Sequence, residues 1–270
     1  MDNRAIGFFD SGLGGLTSIP YIMKMLPNER IIFFSDTART PYGSKAESTI
    51  RNFTLQIGEF LAKNDVKMIV IVCNTVTAIC LDELRNAFPH IAVIGVISPT
   101  AKVVRDTCTA EDNIGIIATK VTVNSNVYNE KIHGKAPDLH LYSKACPAFV
   151  PLIEEGIIDN EIMDLTIKYY LDDFVQENHI NTLVLGCTHY PLLTENLHRI
   201  YPDIKLISSS KEVATAVQIE LTKRDMLAEE RSGENVFYAS DLSENFINMI
   251  QLILGKDEEE LNIRFKNLEI

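Results

Sequence analysis

Residues 70–75 read VIVCNT, and residues 184–189 read VLGCTH, a similar pattern 114 residues further along the chain. In both, an apolar run typical of a strand buried on both faces ends in a cysteine and a polar turn. Two more pairs keep the same order: IGFF at residues 6–9 with IGII at 114–117, and VIS at 96–98 with LIS at 206–208. Their offsets are 108 and 110 residues. Three matches in register predict two pseudo-symmetric α/β lobes.

Short apolar runs alternate with longer helical patterns along the chain. This alternation predicts mostly parallel sheets whose strands are joined by crossover helices. We expect strands at residues 6–9, 31–34, 68–72, 93–97, 114–117, 183–185 and 204–207. We expect helices at residues 45–63, 79–87, 160–177, 212–227 and 242–254, the last capped by Asp241 or Ser240. Residues 256–270 are charged and predict a short terminal helix or a frayed tail.

The repeat also predicts the domain organisation. We expect residues 98–208 to form the second lobe, and residues 1–97 to form the first lobe together with residues 209–270. In open α/β sheets, ligands bind beyond the carboxyl ends of the strands. The active site is therefore expected in the cleft where the two lobes face each other.

Composition and charge exclude several classes of protein. Of the 270 residues, 46% are apolar and 23% charged, the balance of a soluble globular protein with its own core. The net charge of -12 repels a phosphate backbone, so we expect no nucleic-acid partner. No apolar run approaches the roughly 20 residues of a membrane helix, and we expect neither a membrane span nor a signal sequence. Five cysteines without a CxxC pair indicate free thiols and no zinc ribbon, and we expect a cytoplasmic protein.

Two glycine-containing turns are candidate ligand loops. The segment DSGLGG at residues 10–15 follows the first strand, and its glycines allow a tight turn that presents N–H groups to an anion. It is neither a P-loop nor a dinucleotide fingerprint, because Thr17 stands where the fingerprint needs its last glycine. The segment TPYGS at residues 40–44 is a turn that could close over a ligand with backbone N–H groups. For both segments, a plain structural turn is the alternative.

The two repeated cysteines, Cys73 and Cys187, are the candidate catalytic residues. Each follows a buried strand and precedes an expected helix, whose N-terminal partial positive charge favours a thiolate. The neighbouring polar side chains that can hold a ligand or assist proton transfer are Asn74, Thr75, Thr188 and His189. The cysteines outside this repeat, expected to be small buried apolar side chains, are Cys80, Cys108 and Cys146.

Two thiols at equivalent places in facing lobes favour one kind of chemistry. Racemisation of an amino acid removes the α-proton from one face and returns a proton to the other. One thiolate and one thiol on opposite sides of the substrate do this without turning the carbanion around, and their roles exchange for the other enantiomer. Because the α-proton beside a carboxylate is weakly acidic, donors in a dry site must stabilise the developing charge.

The chain resembles bacterial glutamate racemases. The resemblance rests on four segments in the family's order and spacing: DSGLGG at residues 10–15, PYG at 41–43, CNT at 73–75 and GCTHYPLL at 186–193. It implies two lobes with the active site between them and interconversion of L- and D-glutamate without pyridoxal phosphate or metal. It also implies a supply of D-glutamate for peptidoglycan, and hence a part in cell wall biogenesis and cell shape. The family often forms dimers, so a homodimer is expected.

The resemblance further implies roles for particular residues. Cys73 and Cys187 are the two acid–base residues, with Cys73 deprotonating D-glutamate and Cys187 L-glutamate. Asp10 and His189 assist the thiols, as does a glutamate that we assign to Glu154, with Glu155 as the alternative. The residues implied to contact the amino acid are Asp10, Ser11, Pro41, Tyr42, Gly43, Asn74, Thr75, Thr188 and His189.

Three alternatives stay open. A relative acting on aspartate or another acidic amino acid differs in pocket shape, which the sequence does not display. A two-lobed ligand sensor needs the polar donors but not the two cysteines. A thiol hydrolase or redox enzyme needs one nucleophilic cysteine or a resolving neighbour, whereas these two thiols are 114 residues apart and equivalently placed.

Overall fold

Ten β-strands form two sheets in the computed structural model, which describes residues 1–268. The strands are β1 (Ile6–Asp10), β2 (Ile31–Ser35), β3 (Met68–Ile71), β4 (Ala92–Gly95), β5 (Asn113–Ala118), β6 (His140–Ala145), β7 (Thr182–Gly186), β8 (Lys205–Ser208), β9 (Val236–Ala239) and β10 (Ile263–Phe265). All the strand pairs described are parallel. Parallel strands buried on both faces are what the continuous apolar runs predict.

The two sheets repeat one strand order. The first sheet runs β10-β9-β2-β1-β3-β4, and the second runs β6-β5-β7-β8. The four strands β2-β1-β3-β4 therefore correspond to β6-β5-β7-β8. In the first sheet, Phe8 of β1 lies opposite Val70 of β3, and in the second, Ile116 of β5 lies opposite Val184 of β7. This arrangement confirms the predicted fold class of two pseudo-symmetric α/β lobes with parallel sheets.

Eleven α-helices accompany the strands within residues 1–268. They are α1 (Ile19–Met25), α2 (Glu47–Lys63), α3 (Asn74–Ala87), α4 (Ile97–Thr107), α5 (Lys120–Asn124), α6 (Val127–His133), α7 (Phe149–Glu154), α8 (Glu161–Glu177), α9 (Thr194–Ile200), α10 (Ser209–Lys223) and α11 (Glu244–Leu254). Short 3₁₀ turns lie at residues 14–18, 37–39, 42–44, 190–193 and 258–260. None of these helices is both long and apolar enough to cross a lipid bilayer.

Several expected boundaries are wrong. The strand expected at residues 93–97 ends at Gly95, because Val96 already has helical dihedral angles and α4 begins at Ile97. The helix expected at 79–87 begins at Asn74, directly after the cysteine, and the one expected at 212–227 occupies Ser209–Lys223. The last helix is capped by neither Asp241 nor Ser240. Instead, the Ser243 side chain accepts a hydrogen bond from the backbone N–H of Phe246 at 3.2 Å.

The C-terminal region completes the first sheet. Where a terminal helix or frayed tail was expected, β10 pairs with β9, and β9 pairs in turn with β2. Residues 269 and 270, the end of that expected tail, lie outside the described residues. Helix α10 leaves the second sheet after β8 and packs against α1 and α4. The lobe boundaries at residues 97–98 and 208–209 stay a prediction.

One buried apolar cluster is shared by both lobes. It contains Phe8 and Val70 from the first sheet and Ile116 and Val184 from the second, all fully buried or nearly so. Val104 of α4 and Val217 of α10 belong to the same cluster, so these two helices connect the sheets through apolar contact. Burial of this kind stabilises the arrangement by about 25 cal/mol per Å² of apolar surface removed from water. The carboxyl ends of the strands are thereby held towards one another.

Candidate active site

The carboxyl ends of β1, β3 and β7 meet at a narrow pocket with a cavity volume of about 40 Å³. The residues that line it are Ser11, Thr40, Pro41, Tyr42, Gly43, Ser44, Cys73, Asn74, Thr75, Thr119, Pro147, Val150, Cys187, Thr188 and His189. Ten of the twelve residues assigned to the site from sequence are among them. The other two, Asp10 and Glu154, lie behind the lining and bond to it: Asp10 accepts from Thr188, and Glu154 pairs with His189.

Cys73 stands between β3 and α3. It is the N-cap residue of α3, and its Sγ lies 3.3 Å from Ser11 Oγ. Burial raises the pKa of the Cys73 thiol strongly and the nearby Asp10 carboxylate raises it further, whereas the hydrogen bond with Ser11 opposes them. The expectation that the helix N-terminus lowers the pKa of Cys73 is therefore wrong, because desolvation outweighs it. Cys73 is a protonated thiol near neutral pH.

Cys187 has a different partner. Its Sγ lies 3.8 Å from His189 Nδ1, and His189 Nε2 lies 3.0 Å from Glu154 Oε1. Burial by itself would lower the pKa of His189, but the hydrogen bonds with Cys187 and Glu154 outweigh burial and raise that pKa well above its usual value. The imidazole therefore holds its proton near neutral pH. The helix expected directly after Cys187 is a 3₁₀ turn, Tyr190–Leu193, and α9 begins only at Thr194.

The Asp10 carboxylate lies near Cys73 and also contacts Thr188, the residue that follows Cys187. Asp10 is completely buried at the end of β1, where its carboxylate accepts hydrogen bonds from the backbone N–H of Gly12 at 3.1 Å and from Thr188 Oγ1 at 3.3 Å. Burial raises the pKa of Asp10, and the cationic His189 opposes that rise. A buried carboxylate with these contacts can influence the charge on both thiols.

The glutamate that contacts the site is Glu154. Its Oε1 accepts from His189 and, at 3.1 Å, from Thr40 Oγ1 of the first lobe. Glu155, the alternative from sequence, is exposed to solvent. The backbone carbonyl of Glu154 also accepts a hydrogen bond from Asn245 Nδ2 of α11 at 3.0 Å. The placement therefore favours Glu154 as the residue that acts on His189.

Neutral polar side chains surround the two thiols. Asn74 Oδ1 accepts a 2.7 Å hydrogen bond from the hydroxyl of Tyr128, and Asn74 Nδ2 donates to Ser209 Oγ at 3.4 Å. Thr75 Oγ1 lies 2.9 Å from Thr119 Oγ1 of the second lobe. These contacts hold polar side chains in place at the wall of the pocket, where the side chains can bind a polar, charged ligand.

A buried carboxylate, that of Asp36, holds the loop at residues 40–44 in place. Asp36, which the sequence analysis did not assign, forms an ion pair with Arg39 at 2.8 Å and accepts hydrogen bonds from Ser240 Oγ, at 2.8 Å, and from the hydroxyl of Tyr42. Burial, and then the Asp36 charge, raise the pKa of Tyr42. Tyr42 thus lines the pocket while its hydroxyl is bound by Asp36.

The sequence analysis missed five lining residues. They are Thr40, Ser44, Thr119, Pro147 and Val150. A signal existed for Thr119, because it stands 108 residues after Ser11, the offset that relates β5 to β1. Thr40 and Ser44 lie in the segment at residues 40–44 that the sequence analysis named as a candidate ligand loop, whereas no comparable signal marks Pro147 and Val150. Within residues 1–268, no three His, Cys, Asp or Glu side chains are grouped so that they could hold a metal ion.

Known proteins share both the sequence and the fold. The Asp/Glu/Hydantoin racemase family matches residues 22–217 of this chain. A glutamate racemase of Neisseria meningitidis is 41% identical over 261 residues, which cover 96% of both chains, and one of Persephonella marina is 41% identical over 253 residues, 94% of both.

The structural match is equally extensive. The crystal structure of glutamate racemase from Francisella tularensis in complex with D-glutamate has a TM-score of 0.91 and 38% identity to this chain. The match covers 100% of this chain and 99% of the other. These similarities confirm the resemblance to glutamate racemases found in the sequence. The chain belongs to the Asp/Glu/Hydantoin racemase family.

Proposed function

We propose that this protein interconverts L- and D-glutamate by two-base proton transfer at Cα, with Cys73 and Cys187 as the bases. The observation that carries the proposal is that two thiols from different lobes line one pocket, each with its own polar partner. The glutamate racemases that share 41% identity with the chain, and the relative that holds D-glutamate, support the choice of substrate.

The proton balance of the reaction needs one thiolate and one thiol. For D-glutamate, Cys73 as thiolate accepts the α-proton from one face, and the Cys187 thiol donates a proton to the other face. The enzyme is left with a Cys73 thiol and a Cys187 thiolate, the state that acts on L-glutamate. The cationic His189 beside Cys187 favours this second state, because a neighbouring cation stabilises a thiolate.

The surrounding groups have two tasks in this proposal. Asp10, His189 and Glu154 adjust the charge around the thiols. His189 lines the pocket, Asp10 accepts a hydrogen bond from the lining residue Thr188, and Glu154 pairs with His189. The residues that hold the amino acid and stabilise the negative charge developing during proton removal are Ser11, Pro41, Tyr42, Gly43, Asn74, Thr75, Thr188 and His189.

The wider setting follows from the same proposal. D-glutamate formed by this reaction serves peptidoglycan synthesis, and thereby cell wall biogenesis and cell shape. We further propose that the protein acts in the cytoplasm as a homodimer. The chemistry is assigned to the two thiols and to no metal or pyridoxal phosphate, and the experiment below is designed to test that assignment.

Incubation of the purified, metal-stripped protein with L-glutamate in D2O, without pyridoxal phosphate, tests the reaction. We expect loss of optical rotation together with incorporation of deuterium at Cα. Cys73→Ser and Cys187→Ser should each lose racemisation. Cys80→Ser, which changes a buried thiol outside the pocket, should retain it.

The possible results separate the alternatives. Exchange with aspartate but not glutamate would keep the mechanism and change the substrate. Glutamate binding that survives both pocket cysteine substitutions, in a protein that exchanges neither amino acid, would identify a ligand sensor. Full racemisation by either pocket variant would refute the two-thiol mechanism.

A further inference from the structure

A hydroxyl from the first lobe reaches the histidine–glutamate pair of the second. Thr40 Oγ1 donates a 3.1 Å hydrogen bond to Glu154 Oε1, the oxygen that also lies 3.0 Å from His189 Nε2. Thr40 lies in the loop that follows β2, whereas Glu154 ends α7 and His189 follows β7. One carboxylate oxygen is thus shared between a neutral donor from one lobe and a cationic donor from the other.

The contact is built tightly into the site. A Cβ atom at Gly12 would lie 2.6 Å from Glu154 Oε1 and 2.9 Å from Thr40 Oγ1, so any larger residue there would have to displace the pair. Real Cβ atoms essentially never approach other atoms so closely. A second first-lobe residue, Asn245, holds the backbone carbonyl of Glu154 at 3.0 Å. The glutamate is therefore fixed at both its backbone and its side chain.

We propose that Thr40 is a positioning residue that sets how strongly Glu154 binds the protonated His189, and so how readily His189 exchanges its proton with Cys187. The physical reason is competition for one oxygen. A hydrogen bond from Thr40 disperses part of the negative charge on Glu154 Oε1, which weakens the attraction of that oxygen for the imidazolium. This inference rests on the proposed function and deepens it, since it adds a residue to the Cys187 half of the reaction.

The direction of the effect follows from the groups that face His189. They are Cys187 after β7, Glu154 from α7 and Asp10 from the end of β1. Removal of the Thr40 hydroxyl leaves Glu154 more available to His189, so the imidazole holds its proton to higher pH. We assign the alkaline limb of the kcat/KM–pH profile to loss of that proton, so this limb should move to higher pH as well.

Thr40→Val keeps the side-chain shape and removes the hydroxyl, and Thr40→Ser keeps the hydroxyl. Thr37→Val is the matched control. Thr37 lies in the same loop and is half-buried like Thr40. Its hydroxyl donates a 2.7 Å hydrogen bond to the backbone carbonyl of Asp241 and accepts one of 2.8 Å from the backbone N–H of Asp241. It therefore tests loosening of the loop without a change at Glu154.

Two measurements are needed on each variant. The first is an NMR titration of the His189 imidazole in the resting protein, and the second is kcat/KM for both glutamate enantiomers as a function of pH. For Thr40→Val we expect an upward shift in both the titration and the alkaline limb. The loss in kcat/KM near neutral pH should be well below the roughly 100-fold that removing an acid–base group costs. Thr40→Ser and Thr37→Val should titrate like the unmodified protein.

The outcomes distinguish this inference from the function on which it rests. An unshifted His189 titration in Thr40→Val, or an equal shift in Thr37→Val, would overturn the role of Thr40. Because the titration needs no turnover, it gives this answer even if glutamate proves not to be the substrate. A shifted titration with an unshifted alkaline limb would also overturn the proposal, since Thr40 would then act on His189 without affecting its part in catalysis.

Discussion

Gly43, in the loop at residues 40–44, lies close to Thr119 of the second lobe. A Cβ atom at this position would lie 2.5 Å from Thr119 Cβ and 2.6 Å from Thr119 Cγ2. Carbon atoms in contact are normally about 3.5–4.0 Å apart, so Gly43→Ala must separate the loop from Thr119 by about 1 Å. Rotation of the Thr119 side chain gives no relief, because its Cβ does not move with that rotation. Gly43 is also outside the set of residues with positive φ, so the effect is purely steric.

The magnitude follows from the place of this contact in the pocket. Gly43, Cys73 and Thr119 all line it, and a misplacement of about 1 Å near reacting groups can cost about 100-fold in rate. Overpacking typically destabilises a protein by about 1–3 kcal/mol. We therefore expect kcat/KM of Gly43→Ala to fall by up to about 100-fold. Initial rates with each enantiomer, measured by circular dichroism, and urea unfolding would give the two quantities separately.

Thr119→Gly supplies the compensating change. It removes the three atoms that the new methyl group would meet, at a cap cost of only a few tenths of a kcal/mol because glycine is a tolerated cap, together with the hydroxyl that lies 2.9 Å from Thr75 Oγ1. The double variant Gly43→Ala/Thr119→Gly should therefore be more active than Gly43→Ala alone. The steric argument is wrong if Gly43→Ala has the kcat/KM of the unmodified protein, or if the double variant recovers nothing.

Two further predictions concern single contacts. Ser11→Ala removes the hydroxyl 3.3 Å from Cys73 Sγ that opposes the burial-raised pKa of Cys73, so that pKa should rise further. The acidic limb of kcat/KM should then move to higher pH for both enantiomers, and an unmoved limb in rate–pH measurements would contradict this. Lys67→Met leaves the buried Glu29 carboxylate without its partner at 2.6 Å, so the free energy of unfolding in urea should fall by about 3–5 kcal/mol. The kcat/KM of the folded molecules should not change, because this pair precedes β2 and β3, at the strand ends away from the pocket; a change in kcat/KM without loss of stability would refute this.

The sequence predicted seven of the ten strands described and missed β6, β9 and β10, although β9 is mostly buried. β1, β2, β5 and β7 are almost entirely buried and appear as unbroken apolar runs. β6 was missed because it is an edge strand with partly exposed residues such as His140 and Ser143, so it has no apolar run. β10 is only three residues long and mostly exposed. Its position depends on pairing with β9, which no local pattern encodes.

The same distinction applies to the site. Cys73, Cys187 and their polar neighbours could be predicted because the carboxyl ends of parallel strands meet at one edge of each sheet. The contact between Thr40 and Glu154 joins residues 114 positions apart in different lobes, and only the packing of loop 40–44 brings them together. The protonated state of Cys73 was also unpredictable from local sequence, because it depends on total burial and on the buried Asp10.

The two thiols are related by the internal repeat, yet their surroundings are unlike. Cys73 is buried beside the Asp10 carboxylate, and both features favour the thiol against the opposing hydrogen bond with Ser11, whereas Cys187 has a protonated histidine. Free L- and D-glutamate have equal free energies in water, so kcat/KM must nevertheless be the same in both directions. The asymmetry of the site can therefore appear only in kcat and KM separately, with compensating changes in the two. A pseudo-symmetric fold thus imposes no symmetric chemistry: it places two thiols at one pocket, and in the proposed mechanism the unlike side chains around them influence which thiol holds the proton before substrate binds.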